Sequence, residues 1–531
     1  MPGPLVESLI AEIASRLRAG ALDDAEALLA ALVAQALPRS TAEDAEILHL
    51  RGLIALQRED VAGAAALLAQ AVALWPAEAR FHGNLAIACR RLGNPTGAEA
   101  AYRSALALEP ARAEYHANLG NLLKDLDRPE EARLAYSHAL ALAPDYHKVR
   151  FNLGNLLHDL LRLDEAEQHL GMVSAAGGET ATAARLNLGR VLEKTGRRVA
   201  ARECYEQVLR EQPAHIAARW NRALLLLQNG DLAAGFRDYE WRWHLPEHSP
   251  RPFSKPVWQG EDLAGQTLLV HAEQGFGDTI QFCRYLPLLA GRVGRVIFEC
   301  QAPLLRLMSR SFAGLTVTSD GPSQSFDRHV PLLSLPLLLG TRSIADIPAP
   351  VPYLHGEAPI GEVETSLTVG LVWAGSPGHN LHSMLRSIPP DDLAPLFHIA
   401  GVRLVSLQVG DHAADCAALG LTDMTPRLRD FADTADLIAG LDLVITIDTA
   451  VAHLAGALGK PAWILLRASP DWRWFVDRSD TPWYPTASLF RQDQIGHWRP
   501  LIEQVAARLR ELARVHAAKS MPHDAEGPCF R

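Results

Sequence analysis

A repeat of 34 residues runs through the first half of the chain and limits that half to a stack of like units. A Leu followed by a small residue recurs at Leu85-Ala86, Leu119-Gly120, Leu153-Gly154 and Leu188-Gly189. Twelve positions after each small residue stand Ala98, Ala132, Ala166 and Ala201. Four further on come Tyr102, Tyr136, Leu170 and Tyr205. Pro76, Pro110 and Pro144 step by 34, and Pro213 follows two steps and one residue later.

This pattern resembles the tetratricopeptide repeat, which has two helices per unit, small residues where helices touch and Pro at the end of the second helix. About five units match, with degenerate helical pairs at 5–38 and 216–243. The resemblance implies an α-solenoid over 1–245 with a long groove lined by the first helices. Asn84, Asn118, Asn152, Asn187 and Asn221 fall at one place in successive first helices, with spacings of 34, 34, 35 and 34. An amide carries both a donor and an acceptor, so such a ladder can pair with the backbone of an extended acceptor peptide whatever its side chains. Alternatively, the same amides bond neighbouring helices and serve stacking alone. The ladder resembles that of the repeat domain of O-GlcNAc transferases, which holds protein substrates. Tyr239, Trp241 and Trp243 close the array with apolar surface suited to docking on a following domain. A Pro-rich stretch within 246–263 reads as a linker.

At 531 residues the chain has length for further domains, and 48% hydrophobic with 21% charged residues is the composition of a globular protein. A net charge of -10 argues against nucleic acid or an anionic membrane as the main partner. Cys89, Cys204, Cys283, Cys300, Cys416 and Cys529 are scattered, without a Cys-x-x-Cys pair, as expected for free thiols in a reducing compartment. Glu7 and Glu12 interrupt the first apolar stretch, so no signal peptide is expected. The most apolar run, Val330–Gly340, is too short for the about 20 residues a membrane span needs. A cytoplasmic protein without an integral membrane segment is expected.

The second half alternates strand and helix signals. Leu443–Ile447 is a β-branched apolar run suited to a buried parallel strand, and Asp448-Thr449 breaks it where a helix can start. Ala452, Leu454, Ala455 and Leu458 give that helix an apolar face, Gly459 ends it, and Ala462–Leu466 reads as the next strand. Such a unit is half of a doubly wound α/β domain, and its helix N-terminus lies at the sheet edge where these folds bind ligands. Free N–H groups and the helix dipole make that end attractive to phosphate, with His453 one turn in. An ordinary turn with a packed His reads equally well from this stretch alone.

The stretch Asp448-Thr-x-x-x-His453-Leu-Ala-x-Ala-Leu-Gly-Lys-Pro461 resembles the donor motif of the heptosyltransferase superfamily of glycosyltransferases. In that superfamily an Asp-Thr/Ser-Gly-Pro turn and the His surround the donor diphosphate, whereas here Ala450-Val451 stands in place of Gly-Pro. The resemblance implies two Rossmann-like lobes of GT-B type, 264–350 on the acceptor side and 366–518 on the nucleotide-sugar side. It further implies that the final amphipathic helix, Trp498–Ala517, closes the fold by crossing between the lobes, and the tail over 519–531 is expected to be disordered.

Other candidate residues group around these expected sheet edges. Thr267–His271 reads as a first strand running into Glu273-Gln-Gly-Phe-Gly-Asp-Thr279 and a helix over Ile280–Leu289. Gly275 and Gly277 permit close backbone approach to a ligand. Asp278 is either a helix cap or, as the resemblance implies, the general base that activates the acceptor. Strands are also expected at Arg295–Cys300, Leu315–Thr318, Thr368–Ala374 and Val402–Leu407, and a helix at Asp433–Leu441. The strand ending in Trp373 leads into a polar loop with Gly375, Arg386 and Ser387, where Arg386 can pair with a diphosphate. Gln408 could contact the nucleotide base, and Asp471 and Arg473 are further donor candidates. His379 and His382 suggest metal only faintly, and after residue 127 there is no Asp-x-Asp pair of the kind metal-dependent transferases use. The resemblance therefore implies a metal-independent, inverting glycosyltransferase with a nucleotide-sugar as co-substrate, no cofactor, and a Ser or Thr of a protein acceptor held by the repeats. Alternatives are a lipid-linked or polysaccharide acceptor, and a scaffold with an inactive sugar-nucleotide domain.

Overall fold

The computed structural model describes residues 4–35, 38–321, 325–357, 366–375 and 385–520. Its contacts divide into two compact units, Met1–Thr195 and Gly196–Arg531.

The first unit is an all-helical repeat array. Its helices pair as Ala79–Arg91 with Pro95–Leu108, Ala113–Asp125 with Pro129–Leu142, and His147–Asp159 with Leu163–Ala176. Starts are locally encoded. Ser40 and Glu43 form a capping box at 3.3 and 2.7 Å, and Asn94 accepts the Gly97 N–H at 2.9 Å ahead of Pro95. The recurring small residue and the large residue sixteen positions later are packing partners. A Cβ on Gly120 would meet the Tyr136 ring at 2.7 Å, and one on Gly154 would meet Leu170 at 2.8 Å. Tyr136 is fully buried and its hydroxyl donates to Asn121 at 2.7 Å, so the ring has little room to retreat. Gly120→Ala is expected to destabilise this unit by about 1–3 kcal/mol through overpacking, read as a lower urea midpoint.

The Asn column is only half-buried, and three of its members are already bonded inside the array. Asn152 donates to Asn121 at 3.0 Å, Asn187 donates to Asn155 at 2.7 Å, and Asn84 bonds His49 at 2.7 Å. Each bond joins successive first helices, so the stacking role is real for these three. The bonds leave the carbonyl oxygen and the second N–H of each amide uncommitted by them.

The second unit opens with the helices Arg198–Glu211, Ile216–Gln228 and Leu232–Tyr239 and the turn Glu240–His244. Two parallel sheets follow. The first has the order β3-β2-β1-β4, from β1 (Leu263–His271), β2 (Val293–Glu299), β3 (Thr316–Thr318) and β4 (Arg328–Pro331). The second has the order β10-β9-β8-β5-β6-β7, from β5 (Leu367–Val372), β6 (Val402–Ser406), β7 (Thr422–Asp423), β8 (Leu443–Ile447), β9 (Ala462–Leu466) and β10 (Ala487–Arg491). All pairs are parallel, and β8 and β9 are buried along their whole length, as continuous apolar runs require. The fold is thus a tetratricopeptide solenoid followed by an α/β region of two Rossmann-like lobes.

Several local expectations need correction. The helix expected at Ile280–Leu289 is Phe276–Phe282 followed by a 3-10 turn through Leu289, because Pro287 cannot continue an α-helix. β4 lies at the start of the Val330–Gly340 run, and β10 lies beyond the aromatic loops where no strand was expected. The last helix, Trp498–Ser520, does not serve as a crossing helix: Trp498, Ile502, Val505 and Leu509 bury into the core of the second lobe with Val369, Leu371 and Ile445. It includes Lys519 and Ser520, and the rest of the expected tail lies outside the described residues. The Pro-rich linker ends in a fixed anchor, with Trp258 fully buried and its backbone N–H on His329 O at 2.8 Å.

Candidate active site

The carboxyl ends of β5, β6 and β8 converge on a cleft of about 370 Å³, roofed by Phe276 from the first lobe. Among the sequence candidates it brings together Gly375, Gln408 and Thr449, with Ala450 and Val451 from the first turn of the helix Ala450–Ala457. This is the edge at which open α/β sheets take ligands, and the helix presents unpaired N–H groups to it.

Arg386 lies directly over Gly375, where a Cβ would come within 2.4 Å of its guanidinium. A side chain at 375 would push that guanidinium aside. Ser387 accepts the Gly375 N–H at 3.3 Å, and Ile388 N–H returns to Trp373 O at 2.8 Å, which fixes the loop against the end of β5. The Arg386 Nε is buried and has no partner among the described residues. Such a donor suits an anion. His379 and His382 lie outside the described residues.

Asp448, at the end of β8, stands among charges of both signs. Burial, reinforced by the neighbouring Asp471 carboxylate, pushes its carboxyl up to about 6, against the pull of Arg386 and Arg473. Burial would also raise Asp471, but Arg473 holds it below the usual carboxylate range. Arg467, one residue past β9, belongs to the same cluster: burial lowers its guanidinium while Asp448 opposes the shift. Sequence reading missed Arg467, although its place just after a buried strand was a usable signal.

His453 is 4% exposed, stacked on Trp474 at 5.1 Å, and bonded through Nδ1 to Tyr484 Oη at 2.9 Å. Burial, helped by Arg473, drives its imidazole down to about 3, so the ring is neutral. It also explains Gly277, whose Cβ would meet His453 Cδ2 at 2.9 Å. That glycine permits two helices from different lobes to touch, where ligand approach had been expected. Two other candidates are likewise committed inside the protein. Trp373 is fully buried in the second core. The Gln408 amide accepts from Trp373 and Ala374 N–H at 3.1 and 2.9 Å and donates to Val409 O at 3.1 Å, so it braces the strand ends beside the cleft that it lines.

Asp278 is the third residue of the helix Phe276–Phe282. Its Oδ2 accepts the Gly275 N–H at 2.9 Å, and its Oδ1 takes the guanidinium of Arg473 from the other lobe. The capping role is thus present. Arg473 is 7% exposed, also pairs with Asp471 at 2.8 Å and lies on the Trp472 ring at 4.5 Å.

Residues 11–77, 49–113 and 183–240 match the tetratricopeptide repeat family, 113–146 match a second family of the same repeat, and 409–507 match glycosyltransferase family 9 (heptosyltransferase). Protein FlbA of Caulobacter vibrioides is 30% identical over 370 residues. That similarity spans 62% of this chain and 60% of the length of FlbA. A solved structure from the functional characterization of Pseudomonas aeruginosa pilF is 18% identical, covering 41% of this chain and 96% of that one at a TM-score of 0.37. A tetratricopeptide repeat protein of Parabacteroides merdae is 22% identical over 38% of this chain and 80% of its own, at a TM-score of 0.35. No helix among the described residues is long and apolar enough to cross a membrane.

Proposed function

We propose that this chain, which joins tetratricopeptide repeats to a C-terminal glycosyltransferase family 9 domain, moves a sugar from a nucleotide-sugar to a Ser or Thr hydroxyl of a protein held by the repeats. The observation that carries the reading is the cleft at the carboxyl edge of the second sheet, with Arg386 and Arg467 close by and Asp278 of the first lobe bound to Arg473 of the second. The nucleotide lies in the cleft, and its diphosphate meets the first turn at Thr449–Val451 and the guanidinium of Arg386. These groups supply the neutralisation that a metal ion supplies in other transferases. The acceptor oxygen attacks the anomeric carbon from the face opposite the diphosphate, and Asp278 takes its proton. The bond from the anomeric carbon to phosphate breaks, its electron pair leaves with the nucleotide, and the configuration inverts.

A second reading, with a lipid-linked or polysaccharide acceptor, draws support from the ladder amides of Asn84, Asn152 and Asn187, which are already bonded inside the array. Calorimetric titration with a panel of nucleotide-sugars tests the donor half. The proposal predicts binding of at least one, and no binding across the panel would overturn it.

The Asp448 environment gives this site a pH signature. A bound diphosphate adds negative charge beside a carboxyl that already titrates near 6, so the donor favours protonated Asp448. Arg473 stays charged, Asp471 stays ionised and His453 stays neutral across the range. Nucleotide-sugar affinity is therefore expected to fall as pH rises from 5.5 towards 7.5, by about tenfold for one unit of linked shift. Asp448→Asn should flatten the profile, and an unchanged slope in that variant would contradict the assignment.

A further inference from the structure

We propose that Arg473 is a positioning residue for the transfer step, acting through Asp278 and seated by the last repeat helices; the proposal rests on the reading of Asp278 as the base.

A carboxylate that takes a proton from a hydroxyl must be held in one rotation, because a near-attack geometry is lost with small displacements. In Asp278 each oxygen has one fixed partner: Gly275 N–H on Oδ2 from its own lobe, and Arg473 on Oδ1 from the other. The two contacts lock the rotation of the carboxylate, and ionised oxygens with two lone pairs each can still accept from an acceptor hydroxyl. Arg473 suits this task because a planar guanidinium can span two carboxylates, here Asp278 and Asp471, in one fixed geometry.

The seat of Arg473 comes from the repeats. Trp472, on whose ring the guanidinium lies, meets Phe236 edge-on at 5.9 Å and Tyr239 at 6.0 Å. Gln228, buried in the preceding helix, donates to Pro470 O at 3.1 Å. The helices Ile216–Gln228 and Leu232–Tyr239 thus fix the loop that fixes Asp278. The structure gives the end of the array a direct mechanical link to the reacting carboxylate, beyond any part in holding the acceptor.

The test is a double-mutant cycle in the full chain, read as kcat at saturating nucleotide-sugar and acceptor, with nucleotide-sugar affinity measured in parallel. Arg473→Gln is expected to lower kcat at saturating donor by about tenfold or more, from misplacement of the base, a loss that any change in donor Kd through Asp448 does not account for. In an Asp278→Asn background the same change should cost less than about twofold, because its effect passes through Asp278. Arg473→Lys should recover part of the loss. If Arg473→Gln does not fold, Asp471→Asn, which loosens Arg473 without removing it, carries the same cycle: a loss in the native background that disappears with Asp278→Asn. Losses that multiply in the double variant would overturn the proposal, as would a loss confined to donor affinity. Failure of the native chain to transfer sugar from any nucleotide-sugar would overturn the underlying reading and this proposal together. Transfer by the native chain with multiplying losses would overturn this proposal alone.

Discussion

Asp278→Asn is expected to lower sugar transfer by about a hundredfold or more while nucleotide-sugar affinity stays within a few-fold of the native value. The substitution preserves size, and the amide oxygen can still accept the Gly275 N–H that Asp278 takes at 2.9 Å. What it removes is the ability to accept a proton from the attacking hydroxyl. The ion pair with Arg473 goes as well, so a modest loss of stability should accompany the kinetic effect. The check is a comparison of single-turnover transfer with calorimetric donor affinity in the same preparation. Near-native transfer would reduce Asp278 to the helix cap that its bond to Gly275 already makes it.

Arg242→Met should cost the second unit about 3–5 kcal/mol of stability, because it strips a buried carboxylate of its partner. Arg242 is 0% exposed. It reaches both oxygens of Glu273 at 3.0 and 3.1 Å, Glu240 at 2.7 Å and the Ser334 hydroxyl at 2.8 Å. Burial raises the Glu273 carboxyl, with Arg242 pulling the other way, so removal of the cation leaves a desolvated acid in the loop that precedes Asp278. Denaturant unfolding of the full chain measures the loss. Glu273→Met on top of Arg242→Met should restore much of it, since an apolar pair of similar volume no longer buries a charge. A change below about 1 kcal/mol in the single variant would mean that water reaches Glu273.

The parts of this architecture that read directly from sequence are those encoded within one helix pair or one strand-turn-helix unit. Leu119-Gly120 and Tyr136 are sixteen residues apart and touch, so the repeat shows itself as a period. The β8 run, the Asp448-Thr449 break and the helix to Ala457 are contiguous and fell where expected. Roles set by distant partners were hidden. Arg473 was legible as a charged residue near a sheet edge, but its partner Asp278 is 195 residues away, and only the folded lobes bring them together. Gly277 read as a ligand-contact glycine because nothing local reveals His453 against it. The claim of Gln408 on the Trp373 and Ala374 N–H groups was hidden because it comes from the pairing of β5 with β6. The Asn column was visible as a ladder, and its bonds to Asn121, Asn155 and His49 depend on how neighbouring repeats stack.

If a sugar passes from the cleft onto a protein, a labelled sugar must end on protein. A nucleotide-sugar that binds the purified chain, labelled in its sugar, would be incubated with the chain and a cell extract lacking it. Label is expected in the macromolecular fraction, released by protease and by β-elimination, as a sugar on Ser or Thr must be, and lost with Asp278→Asn. Label that resists protease and partitions into organic solvent or polysaccharide would contradict it.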